Sequence, residues 1–94
     1  MKLSYSPQDI QDLKRLRAFI AEHNPQVAQQ IAKKLRLDIQ KITKFPSIGA
    51  PVEMAPDPKR IRDLIRGNYV IRYLVLEERI VVLRIWHERE NRSE

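Results

Sequence analysis

The sequence predicts an α+β fold with the element order β-α-α-β-β-β, in which two antiparallel helices pack on a mainly antiparallel sheet. Three observations support it: two successive segments with a helical apolar period, a proline-rich loop after them, and three strand-like segments joined by short turns. A chain of 94 residues has room for one modest core. We therefore expect a single domain over residues 1–94, and its hydrophobic content of 43% is enough for folding.

The first part of the chain predicts a short strand and then a helix. Residues Leu3 to Ser6 partly alternate in polarity, as a half-buried strand does. Ser6 can cap the helix, Pro7 suits its first position, and Asp9 completes a Ser-x-x-Asp pattern similar to a capping box. The apolar stripe of this helix consists of Ile10, Leu13, Leu16, Phe19 and Ile20.

A second helix begins at Asn24-Pro25, which repeats the same start signal. Its apolar stripe consists of Val27, Ile31, Leu35, Ile39 and Ile42. The segment from Phe45 to Pro51 then breaks the helical period. Pro56 and Pro58 prolong an extended loop to about Lys59, because proline disfavours a helical conformation in the residue before it.

Three strands are predicted after this loop, where β-branched and aromatic residues are frequent. They run from Arg60 to Arg66, from Tyr69 to Leu76, and from Arg79 to Trp86. Gly67-Asn68 is a favourable two-residue hairpin turn, whereas Glu77-Glu78, between the second and third strands, is chemically poorer.

Two-residue turns fix which side chains share a face of the sheet. One face then carries the arginines and aromatic residues Arg62, Arg66, Arg84, Tyr69, Tyr73 and Trp86. The other face is expected to pack on the helices, and it carries the aliphatic residues Ile61, Ile65, Val70, Leu74, Val81, Leu83 and Ile85. On this packed face Asp63 and Arg72 are expected to lie opposite each other as a charge pair.

The composition of the chain limits its function classes. A net charge of +6 and a pI near 10.0 favour nucleic acid, an acidic protein segment or an anionic surface as the partner. The absence of cysteine excludes disulfides, thiolate chemistry and cysteine-ligated zinc. His23 and His87 cannot build a metal site alone, so we expect no metal and no other cofactor.

The sequence also bears on location. The N-terminal segment Met1 to Tyr5 lacks the apolar run and cleavage site of a secretory leader. No apolar stretch approaches the roughly 20 residues that a membrane span needs. We therefore expect a soluble, cytoplasmic protein that does not enter the membrane.

Three guanidiniums interleaved with aromatic rings on one face suit the recognition of phosphate or carboxylate groups, since arginine offers a planar fork and stacks on rings. Taken one at a time, these arginines are more simply explained by solubility, and a lone tryptophan by partial burial. The cations of the two helices, Lys14, Arg15, Arg17, Lys33, Lys34 and Arg36, are most simply solvated, although a protein or nucleic-acid partner could contact them.

Five segments along nearly the whole chain resemble the toxins of the RelE/ParE superfamily in their order and spacing. They are Asn24-Pro25 with Ala28, the loop Phe45 to Gly49, the strand segment Arg62 to Leu64, the run Gly67 to Tyr73, and the ending Val82 to Arg89. The resemblance implies the toxin of a type II toxin–antitoxin module, held in a hetero-oligomer by a cognate antitoxin that wraps a disordered segment around it. The superfamily contains ribosome-dependent mRNA endonucleases of the RelE kind and DNA gyrase inhibitors of the ParE kind.

Metal-free RNA cleavage needs a base, an acid and cations around the phosphate. Arg62, Arg66 and Arg84 could supply the cations, and His87 the acid or base. Glu53 resembles the loop glutamate of YoeB-type members and could be the base. Against this reading, the nucleases have a tyrosine near the chain end, whereas no tyrosine follows Tyr73. The predicted register also sets His87 on the opposite side from the arginines, unless a bulge turns it.

The ending His87-Glu88-Arg89 is similar to that of ParE members, which lack the full nuclease set. We therefore expect a toxin that binds and inhibits DNA gyrase and has no catalytic residue. The residues expected to contact the target or the antitoxin are Arg62, Arg66, Tyr69, Tyr73, Arg84, Trp86 and Arg89. The first alternative is a ribosome-dependent mRNA endonuclease that uses Glu53, Arg62, Arg84 and His87. The second is a non-toxic relative that only sequesters an antitoxin.

Overall fold

A computed structural model describes residues 2–57 and 60–88 as two helices on one face of a five-stranded sheet. The elements are β1 (Lys2–Tyr5), α1 (Pro7–His23), α2 (Pro25–Lys44), β2 (Ala50–Pro51), β3 (Ile61–Arg66), β4 (Tyr69–Val75) and β5 (Arg79–His87). The strand order is β1-β5-β4-β3-β2, with β1 parallel to β5 and the other neighbours antiparallel. The predicted α+β class is confirmed, and the short strand β2 adds one element to the predicted order.

Both helices start at the predicted capping residues. The side chain of Asn24 accepts hydrogen bonds from two backbone N–H groups in the first turn of α2. At the start of α1, Ser6 Oγ accepts from the backbone N–H of Asp9 at 3.0 Å. The reciprocal half of the capping box does not form, because the Ser6 N–H donates instead to the carbonyl of Val82 at 3.0 Å. Among the described residues, the Asp9 carboxylate is thereby left without a hydrogen-bond donor.

The buried face of α1 differs from its predicted stripe, while that of α2 agrees with it except at Val27, which is 36% exposed. Leu16 is in the core, but Ile10, predicted to be buried, is 48% exposed. Asp9 and Asp12 are buried instead, since this side of α1 lies against β5. The core residues of α2 are Leu35, Ile39 and Ile42. The side chains of Phe19, Ile20 and His23 lie outside the described part of the chain. Within that part, neither helix is long and apolar enough to cross a membrane.

The hairpin of β3 and β4 has the predicted register. Arg66 lies opposite Tyr69, and Asp63 lies opposite Arg72. Gly67 has a φ of 59°, the positive value that the first central residue of a type II′ turn requires. The two-residue turn at Gly67-Asn68 thus sets the pairing of all six residues of β3.

The register between β4 and β5 changes part-way along the pair. Near the turn that joins the strands it is the predicted one, with Tyr73 opposite Val82. Leu83 is then unpaired, and Arg84 lies opposite Arg72. This β-bulge shifts every later residue of β5 by one position. The predicted position of Arg84, opposite Ile71, was therefore wrong.

Beyond the bulge, Tyr69 lies opposite His87, where Trp86 was predicted. Trp86 pairs with Val70 and so points to the other side of the sheet. The bulge thus exchanges the two side chains: His87 joins the face that carries Arg66, and Trp86 leaves it.

The helices pack on the face of the sheet that was predicted to be open. Leu64, Ile71 and Ile85 form a buried central row on this face. Ile65, predicted to be buried, is 57% exposed. The prediction compared the number of aliphatic residues on the two faces. Burial by the helices depends on the central row of a face. The arginines of the packed face, Arg62 and Arg66, lie near the two ends of β3, so they do not interrupt that row. Three other aliphatic residues predicted to pack on the helices lie half-buried on the open face: Ile61, Leu74 and Val81.

Candidate functional site

Tyr73 is a buried anchor and not a surface contact residue, contrary to its predicted role. Its hydroxyl donates to the carbonyl of Pro46 at 2.6 Å and accepts from the N–H of Gly49 at 2.9 Å. Burial raises the pKa of this phenol. Arg62 donates to the carbonyl of Gly49 at 2.6 Å. A Cβ at Gly49 would meet the Tyr73 hydroxyl at 2.8 Å and the Asp63 carbonyl at 2.9 Å, so the close approach requires glycine. Tyr73 and Arg62 therefore fasten the loop that precedes β2.

Arg66, Tyr69 and His87 form one row across the sheet, at the end where β3 turns into β4. The rings of Tyr69 and His87 meet edge to face, with centroids 4.8 Å apart and planes at 83°. Arg66 reaches α2, where its Nε lies 3.4 Å from Oδ1 of Asp38. The structure thus brings together two residues predicted to contact a partner and the histidine of the alternative nuclease reading.

A surface cavity of about 220 Å³ opens between this row and α2. We call it the hairpin groove, and its lining residues are Ile31, Lys34, Leu35, Asp38, Arg66, Gly67, Asn68 and Tyr69. Asp38 is nearly buried, and its Oδ2 has no hydrogen-bond partner within the described residues. The exposed rim of the groove carries the cations Lys34 and Arg66 beside the Tyr69 ring. The groove is therefore suited to an anionic group that carries an apolar or aromatic neighbour.

Arg84 is held on the opposite side of the sheet by α1. Asp12, fully buried, accepts from Arg84 Nε at 2.7 Å and from the backbone N–H of Ile85 at 3.0 Å, and it also accepts from Arg15. Arg15 donates a further bond to the Ile85 carbonyl at 3.1 Å. Burial alone would raise the pKa of Asp12, but the hydrogen bonds from Arg84, Ile85 and Arg15 outweigh it and lower that pKa. Strand β1 pairs with β5 only as far as Val82, and beyond that point Asp12 and Arg15 of α1 bind the backbone edge of β5.

Trp86 belongs to a charge cluster on the open face. The guanidinium of Arg72 lies 5.0 Å from the centre of the indole ring. Two parallel hydrogen bonds of 2.8 and 3.0 Å join Arg72 to Asp63. The predicted pair of Asp63 and Arg72 is confirmed, but it lies on the open face and is only partly buried. The predicted single surface of three arginines with Tyr69, Tyr73 and Trp86 was therefore wrong.

The residues of the alternative nuclease reading lie at different places. Glu53 is exposed in the turn after β2, next to Val52, whose N–H donates to the carbonyl of Ile61 at 2.9 Å. His87 lies in the row of Arg66, which is five residues further along β3 than Ile61. At the usual rise per strand residue, this separates Glu53 and His87 by roughly 17 Å along the sheet. The structure therefore does not bring Glu53 and His87 to one reacting group. Arg89 lies outside the described residues.

Sequence analysis missed the carboxylates that hold the arginines in place. Asp12 and Asp38 are both buried partners of predicted contact residues, Arg84 and Arg66. A signal was available for each, since Asp12 stands four residues before Leu16 on one helix face, and Asp38 interrupts the apolar stripe of α2.

The family model described as ParE toxin of type II toxin–antitoxin system, parDE, matches residues 3–92. The chain belongs to the ParE toxin family. A relative of this ParE-family chain, Toxin RelE1 of Caulobacter vibrioides, is 33% identical over 82 residues, which is 86% of each chain.

Solved structures resemble the ParE-family chain over nearly its full length. A chain of the chromosomal ParDE system from P. aeruginosa has a TM-score of 0.72 at 19% identity and covers 93% of this chain and 95% of its own. A chain of the RelBE2 toxin–antitoxin complex from Mycobacterium tuberculosis has a TM-score of 0.67 at 17% identity and covers 95% and 92%. A conserved hypothetical protein from Helicobacter pylori has a TM-score of 0.61 at 20% identity and covers 96% and 97%. At such identities the likeness shows a shared fold.

Proposed function

We propose that this ParE-family toxin binds and inhibits DNA gyrase, with the hairpin groove as part of the contact surface. The observation that carries the proposal is the separation of Glu53 from His87, roughly 17 Å along the sheet. A general base and a general acid must each come within about 3 Å of the atoms that exchange protons at one phosphodiester. Inhibition by binding needs no such pair, so it is the function that these residues support best.

The chemistry of the hairpin groove supports a protein target. Arg66 offers a guanidinium fork, which recognises carboxylates, and Lys34 adds a second cation at the rim. Tyr69 and His87 offer aromatic surface beside these charges. Aromatic residues and arginine are enriched among the residues that contribute most to protein–protein binding. An acidic segment with one apolar side chain is therefore the kind of ligand we propose for the groove.

We further propose that a cognate antitoxin neutralises the toxin in a hetero-oligomer. The family is defined by toxin–antitoxin systems, and two of the similar solved chains come from such systems. The net charge of +6 favours an acidic antitoxin segment that folds when it binds. Co-expression of the antitoxin should restore growth, and persistent toxicity beside an abundant, soluble antitoxin would contradict this assignment.

A ribosome-dependent mRNA endonuclease is the second candidate, favoured by one observation. The bulge in β5 sets His87 on the face of Arg66, so one titratable ring and one fixed cation share a row. Such a site would use His87 as general acid or base and Arg66 to stabilise phosphate charge. The ribosome and mRNA would then be the partners in place of gyrase.

Induced expression without antitoxin separates the candidates by growth and by variant. We expect growth arrest with wild type, and full growth would identify a non-toxic, antitoxin-binding relative. His87→Gln should keep most toxicity under the gyrase proposal, since glutamine retains hydrogen bonding but cannot transfer a proton near neutral pH. Arg66→Glu should abolish it. Arg60→Glu, the same charge change at an exposed residue just before β3, is the matched control and should remain toxic.

Two results would contradict the gyrase proposal. The first is loss of toxicity in His87→Gln with an unchanged melting temperature. The second is equal toxicity of Arg66→Glu and Arg60→Glu, because the hairpin groove would then have no part in target binding.

A further inference from the structure

The aspartates of the two helices point inward, and most of their basic residues point outward. Asp9, Asp12 and Asp38 are buried, and the last two are paired with arginines of the sheet. The exposed cations of α2 are Lys33, Lys34, Arg36, Lys41 and Lys44. The sequence of α2 holds no acidic residue besides Asp38. The outer face of α2 is therefore uniformly positive.

Four of these cations form one stripe along α2. At 100° per residue, Lys33, Lys34, Lys41 and Lys44 fall within about a third of the helix circumference, on the side away from the core residues. The stripe is about 16 Å long at the helical rise per residue. Leu37 lies in its middle and is 51% exposed. We call this surface the lysine stripe.

No carboxylate within residues 2–57 and 60–88 forms an ion pair with a member of the lysine stripe. The nearest acid along α2, Asp38, is engaged by Arg66 and faces the hairpin groove. The charges of the stripe are therefore available to a partner, and they reinforce one another because they have the same sign.

We propose that the lysine stripe binds the phosphodiester backbone of a nucleic-acid duplex. A duplex carries one negative charge per roughly 1.7 Å of its axis, so about nine charges lie along the length of the stripe. Lysines are point charges that accept many phosphate positions without a fixed geometry. Contacts of this kind hold a duplex without reading its sequence. The inference goes beyond gyrase inhibition and does not depend on it.

A duplex fits the stripe better than an acidic protein segment does. A disordered segment that folds on binding must bury apolar surface to offset its ordering entropy. The stripe offers it Leu37 alone, while the apolar groove between the helices, lined by Leu13, Leu16, Ala28 and Ile31 among others, lies elsewhere. A duplex is already ordered and needs charge only.

The test measures binding of the purified protein to a 20-base-pair DNA duplex and to an RNA duplex of matched length by fluorescence anisotropy, over a series of salt concentrations. The variant is Lys33→Gln with Lys41→Gln, and neither residue lines the hairpin groove. Its slope of log affinity against log salt should fall by about 1.8, because each lost phosphate contact removes about 0.9. Lys2→Gln with Arg79→Gln, an equal charge loss at the exposed β1–β5 end of the sheet, is the control and should change the slope little.

Weaker duplex binding in the Lys33/Lys41 variant than in the control supports binding at the lysine stripe. The duplex that binds more tightly, DNA or RNA, identifies the source of the backbone. Equal weakening in the Lys2/Arg79 control would overturn the proposal, since net charge alone would then explain binding. A polyglutamate peptide of matched charge is the second comparison. The proposal would also be overturned if this peptide displaced the duplex from wild type and if the Lys33/Lys41 variant bound peptide and duplex more weakly by the same factor. Failure here leaves the gyrase assignment untouched, because supercoiling inhibition by the stripe variant is measured separately and should equal that of wild type.

Discussion

Asp9→Asn is expected to stabilise the protein above neutral pH. The Asp9 carboxylate is fully buried, and neither oxygen has a hydrogen-bond partner in the described part of the chain. Burial, with a smaller contribution from the charge of Asp12, raises the pKa of Asp9 from 3.8 to about 7. An ionised group here is costly because the Ser6 N–H, which a capping box would direct to Asp9, is already bound to β5.

The sign of the pH dependence follows from proton binding. An acid whose pKa is raised by folding holds more protons in the folded state between pH 4 and 7, so stability falls as pH rises through that window. A shift from 3.8 to about 7 corresponds to about 4 kcal/mol at pH 8, taken as an upper limit. Between pH 5 and 8 the same shift removes about 2 to 3 kcal/mol of unfolding free energy.

Asparagine has the same shape and cannot ionise, so its advantage should grow with pH. It loses about 0.3 to 1 kcal/mol of favourable interaction with the start of α1. The net gain over wild type should reach on the order of 2 kcal/mol at pH 8 and be smaller at pH 5. Urea unfolding followed by the fluorescence of Trp86, the single tryptophan, measures both values.

Glu22→Gln is the matched control, since it removes an exposed carboxylate from the same helix. Because its side chain is exposed, this substitution should not produce the gain in stability at pH 8 that Asp9→Asn does. A wild-type stability that is flat from pH 5 to 8, or an Asp9→Asn variant no more stable than wild type at pH 8, would refute the buried, unpaired state of Asp9.

Three further substitutions test the contacts of the sheet by the midpoint of urea unfolding. Tyr73→Phe should lower stability by about 1 to 3 kcal/mol, because it leaves two buried backbone groups without a partner, and an unchanged midpoint would contradict that anchor. Asp12→Ala should cost about 2 to 3 kcal/mol through the unpaired N–H of Ile85, and Asp12→Asn, which can still accept that bond, should recover part of the loss. Asp63→Ala should cost at most about 1 kcal/mol, since its pair with Arg72 is partly open to solvent, and a larger loss would indicate a buried pair.

The sequence predicted local features well where a single turn or cap controls them. Ser6 and Asn24 start the helices, and the positive φ of Gly67 aligns β3 with β4. These features depend on residues close together in the chain, so their chemistry can be read from a short window.

The features that failed depend on contacts between distant segments. The bulge at Leu83 occurs where β1 ends and the Asp12 carboxylate of α1 begins to accept hydrogen bonds from β5. The two segments that meet there are some seventy residues apart in sequence. That shift moved Trp86 off the arginine face and turned His87 onto it. The packed face was misassigned for a related reason, since α2 covers the central row of Leu64 and Ile71 and no window of sequence reveals where a helix will lie.

One paired assay separates inhibition of gyrase from cleavage of mRNA. Purified toxin is titrated into a DNA gyrase supercoiling reaction and, in parallel, into translating ribosomes that carry a defined mRNA. If the toxin inhibits gyrase, supercoiling should fall with toxin concentration while the mRNA stays intact, with wild type and His87→Gln alike. Codon-dependent cleavage of the mRNA by wild type that vanishes in His87→Gln, with supercoiling unchanged, would rule out gyrase inhibition and establish the endonuclease.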